Sequence, residues 1–197
     1  MLEIWWIRHG QSTWNEEGRW QGHADVPLTE LGRQQARSLQ ARLAGIGFDQ
    51  IFSSDLERAS QTASLALPDR PVQLDPRLRE INFGVFEGKL REDLTADLRD
   101  ELRRWWRDPY ADPIEGGESM AQLAERVGEW RQTLVDGRVA VFTHGGVIRS
   151  SLWAVTSPPS AGEWSVILDN TSITEIRYQP ARTVIWRVND TAHLEMF

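Results

Sequence analysis

The sequence contains no cysteine among its 197 residues, which excludes disulfide bonds and any metal site built on thiolates. A chain without cysteine suits a reducing compartment, and we expect a cytoplasmic protein. No apolar stretch approaches the roughly 18 residues that a membrane-spanning helix needs. The first apolar run covers only residues 4–7 and follows no basic segment, so we expect no secretory signal peptide.

Positive charge is in the minority along this chain. The net charge is -7 and the isoelectric point is about 5.2, so nucleic acid and anionic membranes are poor partners. Any anion that the protein binds must therefore be held by a local cationic pocket. Internal repeats, low-complexity tracts and linkers are also lacking, so residues 1–197 are expected to form a single domain.

Strand patterns and helix patterns alternate along the sequence, which predicts an α/β fold with a mainly parallel central sheet. The predicted strands are 2–7, 49–53, 71–74 and 138–142, with a closing hairpin from 171 to 188. The predicted helices are 30–43 with Thr29 as N-cap, 55–67 with Ser54 as N-cap, and one from about Val147. Residues 10–27 read as a loop.

The middle of the chain has a different pattern. Residues 91–106 place leucines and a tryptophan on one helical face, and a Ser119–Gln122 capping box opens a helix to about Val135. We expect these helices to be a small insertion, about 89–135, over one edge of the sheet at the active site. With this insertion, aromatic side chains such as Trp20, Phe83 and Trp106 are expected to form the pocket wall. The pattern favours helix packing for the Trp105–Trp106 pair.

Three motifs stand at the ends of predicted strands or the start of a helix. Arg8-His9-Gly10 ends the first strand, the sequence SSDLERA follows the second, and THGG, residues 143–146, ends the strand 138–142. Ligands bind beyond the carboxyl ends of the strands in open parallel sheets. We therefore expect the three motifs to meet at one site.

The residue types in these motifs suit a phosphate. Arg8 and Arg58 offer planar guanidinium groups that match phosphate oxygens, and the helix after Ser54 adds a partly positive N-terminus. Gly145 and its neighbour Gly146 allow backbone amides to approach an oxyanion. His144 can donate a hydrogen bond to the same group. The three motifs together predict an anion pocket.

Two further roles complete the chemistry of phosphoryl transfer. His9 is the natural nucleophile, because neighbouring arginines depress its pKa and leave a nitrogen lone pair near neutral pH. The leaving alkoxide needs a proton, and Glu80 among apolar residues is the best candidate, with Glu87 as its competitor. The histidines lack the short spacing of zinc ligands, so we expect no metal. His23 is expected at the pocket rim, and His193 is given no role.

These motifs resemble the histidine phosphatase superfamily, in its phosphoglycerate-mutase-like branch and of the broad-specificity phosphatase type. The segments that carry the resemblance are RHGQSTWN, GHADVPLTELGRQQA, SSDLERASQTA, LREINFGVFEG, GGES and THGGVIR, within residues 2 to about 175. Ser12 and Phe86 depart from the usual pattern, at positions expected to lie outside the chemistry.

The resemblance implies a three-layer α/β/α sandwich and a phosphohistidine intermediate on His9. It implies phosphate contacts from Arg8, Arg58, His144 and Asn15, substrate contacts from Gln21 and Gly22, and Glu80 rather than Glu87 as proton donor. It implies neither a metal nor an organic cofactor.

The sequence therefore predicts a phosphomonoester hydrolase for a small phosphorylated metabolite. A cofactor-dependent phosphoglycerate mutase is the alternative enzyme, although the modest insertion at 89–118 favours a phosphatase. A non-catalytic module that binds phosphorylated ligands is the alternative from another class. The sequence does not decide the substrate or the oligomeric state.

Overall fold

A six-stranded sheet lies at the centre of the protein. The computed structural model describes residues 1–156 and 166–195. Its strands are β1 (Leu2–Arg8), β2 (Gln50–Ser53), β3 (Gln73–Leu74), β4 (Gly137–Thr143), β5 (Ile173–Gln179) and β6 (Arg182–Asp190). Their order is β3-β2-β4-β1-β5-β6, and β1 to β4 are parallel while β5 runs antiparallel to both neighbours. The predicted mainly parallel sheet and closing hairpin are confirmed.

The described residues form six α-helices, of which five contribute to the core on the two sides of the sheet. They are α1 (Thr13–Glu17), α2 (Glu30–Leu43), α3 (Glu57–Ala66), α4 (Ala96–Arg107), α5 (Met120–Gln132) and α6 (Gly145–Thr156). Apolar residues of α2 and α3 pack on one face of the sheet, and those of α4, α5 and α6 pack on the other. This is the three-layer α/β/α sandwich that the resemblance implied. No helix in the two described ranges is long and apolar enough to cross a membrane.

The apolar run in β1 serves both layers. Ile4 and Trp6 lie in the core cluster under α5 and α6, whereas Trp5 and Ile7 lie in the cluster under α2. Successive side chains of a strand point to opposite faces, and both faces of the sheet are covered here. All four side chains are therefore buried. The central strand is thus packed on both faces up to its end at Arg8, immediately before His9.

Several predicted boundaries are correct, and others are wrong. Helix α2 begins after its Thr29 cap, and α5 begins at the Ser119 capping box. The predicted Ser54 cap is wrong: α3 begins at Glu57, whose N–H donates to Asp25 Oδ1 at 2.7 Å. The helix predicted from residue 91 begins only at Ala96, where Thr95 caps it.

The segment 10–27, predicted as a loop, contains the short helix α1. Ser12 caps it in a reciprocal pair with Asn15, and Gly18 ends it in a left-handed conformation at φ 74°. With only five residues, the helix has no apolar periodicity to reveal it in the sequence. Its stability therefore depends on these caps and on tertiary contacts.

Candidate active site

The carboxyl ends of the central strands meet at one edge of the sheet. Arg8 of β1 is paired with Thr143 of β4, and Phe142 of β4 is paired with Ser53 of β2. The motifs that follow these residues are far apart in sequence but become neighbours here. The predicted meeting of the three motifs is confirmed.

His9 is held tightly by its backbone. Its N–H donates to the carbonyl of Thr143 at 2.9 Å, and its own carbonyl accepts from Asn170 Nδ2 at 3.0 Å and from the N–H of Thr171 at 3.2 Å. Only 3% of His9 is exposed. The position of the ring is therefore set by β4 on one side and by the turn before β5 on the other.

The imidazole of His9 has a defined tautomer. Nδ1 lies 2.7 Å from the carbonyl oxygen of Gly10, and because a carbonyl can only accept, Nδ1 carries the hydrogen. Burial and the positive charges of Arg58 and Arg8 hold the pKa of His9 well below its ordinary value, although the bond to Gly10 opposes them. The neutral ring therefore keeps a lone pair on Nε2.

His144 lies beside this ring. The two ring centroids are 5.1 Å apart, and His144 Nε2 lies 2.9 Å from Ser54 Oγ. Burial, followed by the positive charge of Arg58, holds the pKa of His144 well below its ordinary value. Its Nδ1 is buried and has no hydrogen-bond partner among the described residues. Ser54 therefore orients His144 instead of capping α3.

Two guanidinium groups flank the histidines. Arg58 is 1% exposed, and its Nη atoms donate to the carbonyls of Ala24 at 2.9 Å and Gly22 at 2.8 Å. Arg8 Nη1 donates to the carbonyl of Leu168. Burial lowers the pKa of Arg58 to about 10. Within residues 1–156 and 166–195, neither buried Nε has a hydrogen-bond partner.

Glu80 reaches the same place from an irregular loop. Its Oε1 accepts from the N–H of Gly146 and from the N–H of Ile81, both at 2.9 Å, and Oε2 lies 3.1 Å from the Gly146 nitrogen. The Gly146 amide, which we expected to face an oxyanion, is thus used by Glu80. A Cβ atom at Gly146 would lie 2.1 Å from Glu80 Oε1, so glycine is required for this contact.

The carboxylate of Glu87 binds backbone amides of two neighbouring loops. Its carboxylate accepts from the backbone N–H groups of His23, Ala24 and Phe83, at 2.7, 2.9 and 3.2 Å. It is absent from the described residues that line the cavity, whereas Glu80 lines it. Both glutamates accept from backbone amides, but of the two only Glu80 lines the cavity, so Glu80 is the carboxylate placed to reach a bound ligand.

Asn15 and Gln21 are organised by Ser12. Ser12 Oγ donates to Gln21 Oε1 at 2.9 Å, and its backbone N–H donates to Asn15 Oδ1 at 3.3 Å. Asn15 and Gln21 both line the cavity. Ser12 itself is fully buried and absent from the described lining, so it supports two residues of the wall without reaching the cavity.

A cavity of about 320 Å³ opens above His9. Its lining includes most of the predicted site residues, namely Arg8, His9, Asn15, Gln21, Glu80 and Gly145. Arg58, His144 and Gly22 are absent from that lining, and Arg58 and His144 are almost fully buried.

The aromatic wall differs in part from the prediction. Trp20 and Phe83 line the cavity, and Trp105 is buried against Phe83 with ring centroids 6.2 Å apart. The placement of Trp106 on the wall is wrong: it is 56% exposed and lines a separate groove on α4. The helical face that buries Trp105 turns its neighbour outward, because adjacent residues of a helix point in different directions.

The described part of the chain holds no cluster of three or more histidine and carboxylate side chains that could bind a metal ion. The profile of the histidine phosphatase superfamily, branch 1, matches residues 4–191. This chain belongs to that superfamily. The match confirms the resemblance drawn from the motifs.

Individual relatives differ in the activity named for them. Phosphoserine phosphatase 1 of Hydrogenobacter thermophilus is 32% identical over 208 residues, covering 100% of this chain and 96% of that protein. The probable phosphoglycerate mutase GpmB of Yersinia pestis is also 32% identical, with the same coverage. The structure of a putative alpha-ribazole-5'-P phosphatase from Escherichia coli has a TM-score of 0.86 and 30% identity, covering 96% of this chain and 97% of that one.

The superfamily site in this chain includes residues that the sequence did not single out. Asn170 bridges His9 and Asn15, donating to the carbonyl of one and to Oδ1 of the other. Three further arginines, Arg19, Arg91 and Arg149, line the cavity. Arginine is common along this chain, and only the fold shows which arginines line the cavity; of these three, Arg19 and Arg149 are half-buried and Arg91 is exposed.

Proposed function

We propose that this protein hydrolyses phosphomonoesters of small metabolites through a phosphohistidine on His9. The tautomer of His9 supports this role, because Nδ1 is committed to Gly10 and Nε2 keeps its lone pair. Its lowered pKa keeps the ring neutral at physiological pH. A neutral imidazole held beside two arginines is suited to attack an anionic phosphorus centre.

Unpaired donors around His9 carry the proposal. Buried N–H groups nearly always have a partner, and an orphaned one costs about 1–3 kcal/mol. Among the described residues, four buried nitrogens of the predicted site have none: Arg8 Nε, Gln21 Nε2, Arg58 Nε and His144 Nδ1. Arg8 and Gln21 line the cavity, so an oxyanion bound next to His9 would accept from these two donors, as a phosphate group has several acceptor oxygens.

The reaction then follows in two steps. His9 Nε2 attacks phosphorus, the P–N bond forms, and the P–O bond to the leaving group breaks while Glu80 donates a proton to the departing oxygen. A water molecule next attacks the phosphohistidine, gives its proton to Glu80 and releases inorganic phosphate. Arg8, Asn15, Gln21 and Gly145 at the cavity, with the buried Arg58 and His144, position the phosphoryl group, and Gly22 holds Arg58 through its carbonyl.

The charge of the cavity points to a class of substrate. Among the described residues, four arginines and one carboxylate, that of Glu80, line it, although the whole chain is acidic and Arg19 is paired with Glu17. Arg8 lies next to His9, while Arg19, Arg91 and Arg149 lie around the remaining wall. We infer a substrate with a second anionic group, such as a carboxylate. Phosphoserine and phosphoglycerate, which are named for relatives, fit this description.

A pair of substrates tests this function. Phosphoserine should be hydrolysed with a kcat/KM about 10- to 100-fold above that of its methyl ester, because a charge-assisted hydrogen bond contributes about 1.5–3 kcal/mol. The Arg149→Gln variant should lose most of that preference. Equal rates for the acid and the ester would refute the second-anion assignment without refuting hydrolysis.

Hydrolysis itself has its own test. Labelled substrate should give an acid-labile phosphoenzyme, which His9→Ala should abolish while the far-UV circular dichroism stays unchanged. Retained turnover in His9→Ala would refute the nucleophile. Phosphoryl transfer between positions of phosphoglycerate, with little release of phosphate, would show a mutase. Phosphate binding without turnover by the unmodified protein would show a binding module.

A further inference from the structure

The segment that carries Glu80 has little secondary structure of its own. It lies between two short 3-10 helices, Pro76–Leu78 and Gly84–Phe86, and has no strand or α-helix hydrogen bonds to fix it. A general acid must be placed to within a fraction of an ångström to act. Side chains from outside the segment must therefore supply this precision.

Arg126 of α5 supplies most of those contacts. Its guanidinium donates to three backbone carbonyls of the segment, those of Arg77 at 2.8 Å, Arg79 at 2.8 Å and Glu80 at 2.7 Å. A planar group with five N–H donors can bind several carbonyls at once, which a lysine ammonium cannot do in the same geometry. Arg126 thus gathers the backbone on the N-terminal side of Glu80.

Glu118 completes this clamp from the loop before α5. Its two oxygens accept from Arg126 Nε at 2.8 Å and Nη2 at 2.9 Å, and Oε2 also accepts from the N–H of Asn82 at 2.9 Å. The carbonyl of Asn82 in turn accepts from the N–H of Glu118 at 3.0 Å. The side chains of Arg126 and Glu118 are only 17% and 20% exposed. The backbone is therefore held both before and after Glu80 in the sequence.

His23 makes a third contact with the backbone of Glu80. Its Nε2 lies 2.9 Å from the carbonyl oxygen of Glu80, which also accepts from Arg126. Glu118 Oε2 lies 3.9 Å from the same ring nitrogen. Neither His23 nor Arg126 is among the described residues that line the cavity, so both act behind Glu80.

We propose that Arg126 is a positioning residue for the proton transfer by Glu80. The inference rests on the proposed function, in which Glu80 protonates the leaving oxygen. Loss of the guanidinium would remove the donor from the carbonyls of Arg77 and Arg79 and would leave the carbonyl of Glu80 with His23 alone. The carboxylate would then spend less time in the geometry that reaches the leaving group, while His9 and the phosphate donors would stay in place.

The choice of leaving group separates positioning from general damage. A serine alkoxide leaves slowly unless it is protonated, whereas 2,4-dinitrophenolate leaves without a proton. The Arg126→Gln variant should therefore lose about 10- to 100-fold in kcat/KM on phosphoserine. We compare kcat/KM because it covers only the steps up to loss of the leaving group, and not the later hydrolysis in which Glu80 is the base. The kcat/KM on 2,4-dinitrophenyl phosphate should stay within about threefold of the unmodified enzyme, and this activity also reports that the variant is folded.

Two further variants complete the comparison. Arg104→Gln is the matched control, because Arg104 also pairs with a glutamate, Glu101, and donates to a carbonyl, that of Pro113, but does not contact the Glu80 segment. It should affect both substrates by less than about twofold. Arg126→Lys keeps the charge without the planar group and should show the same selective loss, reduced in size.

The outcomes distinguish the two levels of the proposal. Equal losses on both substrates in Arg126→Gln and Arg126→Lys would overturn the positioning role. The positioning role would also be overturned if Glu80→Gln lost activity on phosphoserine alone while the Arg126 variants did not. The proposed function would then stand. If Glu80→Gln itself loses activity equally on both substrates, the role of Glu80 as acid fails, and the proposal for Arg126 fails with it.

Discussion

Replacing Gly146 by alanine should displace Glu80 without unfolding the protein. An added Cβ would lie 2.1 Å from Glu80 Oε1 and 3.2 Å from its Cδ, while the next atom, Cγ2 of Ile81, is 3.5 Å away. Ordinary contact begins near about 3.5 Å, so the carboxylate must move by roughly 1 Å or more. The close atoms are the far end of a flexible side chain, which can move away more easily than backbone.

The expected magnitude follows from this displacement. A shift of about 1 Å in a reacting group can cost about 100-fold in rate, or about 2.7 kcal/mol of transition-state stabilisation. Alanine is also a better helix former than glycine by up to about 1 kcal/mol, which offsets strain at the start of α6. We therefore expect a variant whose stability is near that of the unmodified protein but whose kcat on phosphoserine is about 100-fold lower.

Gly128 provides the matched control. It lies inside α5, and no atom stands within 4 Å of the Cβ position. Gly128→Ala should raise the unfolding free energy by about 0.5–1 kcal/mol and leave kcat unchanged. Urea unfolding and steady-state kinetics on phosphoserine measure both effects. A Gly146→Ala enzyme within about threefold of Gly128→Ala would refute the required approach of Glu80 to this amide.

Two further predictions concern stability. The pKa values of His9 and His144 are held well below their ordinary values in the folded protein. Below about pH 6.5 the unfolded chain therefore binds more protons than the folded protein does. The free energy of unfolding should fall in this range by up to about 1.4 kcal/mol per pH unit for each ring. Urea midpoints between pH 8 and pH 5 should show a flatter profile in a His9→Gln/His144→Gln variant; an equal slope would contradict this. In Gly22→Ala, the new Cβ would lie 2.0 Å from Glu87 Oε1 and 2.7 Å from a backbone amide nitrogen. The free energy of unfolding should therefore fall by about 1–3 kcal/mol. Gly47→Ala, where the space is open, should show no loss. Equal urea midpoints for Gly22→Ala and Gly47→Ala would contradict this second prediction.

Local patterns identified the parts of the site that lie at strand ends. The apolar residues of β1 and β4 predict buried strands, and the motifs RHG, SSDLERA and THGG together single out the polar residues that follow them. Arg8, His9 and His144 were found in this way. Their meeting follows from topology, because the carboxyl ends of parallel strands share one edge.

Other parts of the site have no local signal. Ser54 fits the pattern of a helix cap, yet a histidine from 90 residues away takes up its hydroxyl, and Asp25 caps α3 instead. The two glutamates 80 and 87 stand in one motif with similar neighbours. Only the backbone amides around each carboxylate show that Glu87 supports a loop while Glu80 lines the cavity.

The sequence by itself determined the fold class, the family, and the identity of the proposed nucleophile and its anion donors, because these depend on periodicity and on short motifs. Tertiary structure alone decided which arginines face the cavity and which clamp a loop, as it does for Arg149 and Arg126. It also decided the tautomer of His9. These properties depend on atoms brought together from distant parts of the chain, and hydrogen-bond geometry between such atoms leaves no trace in the local pattern.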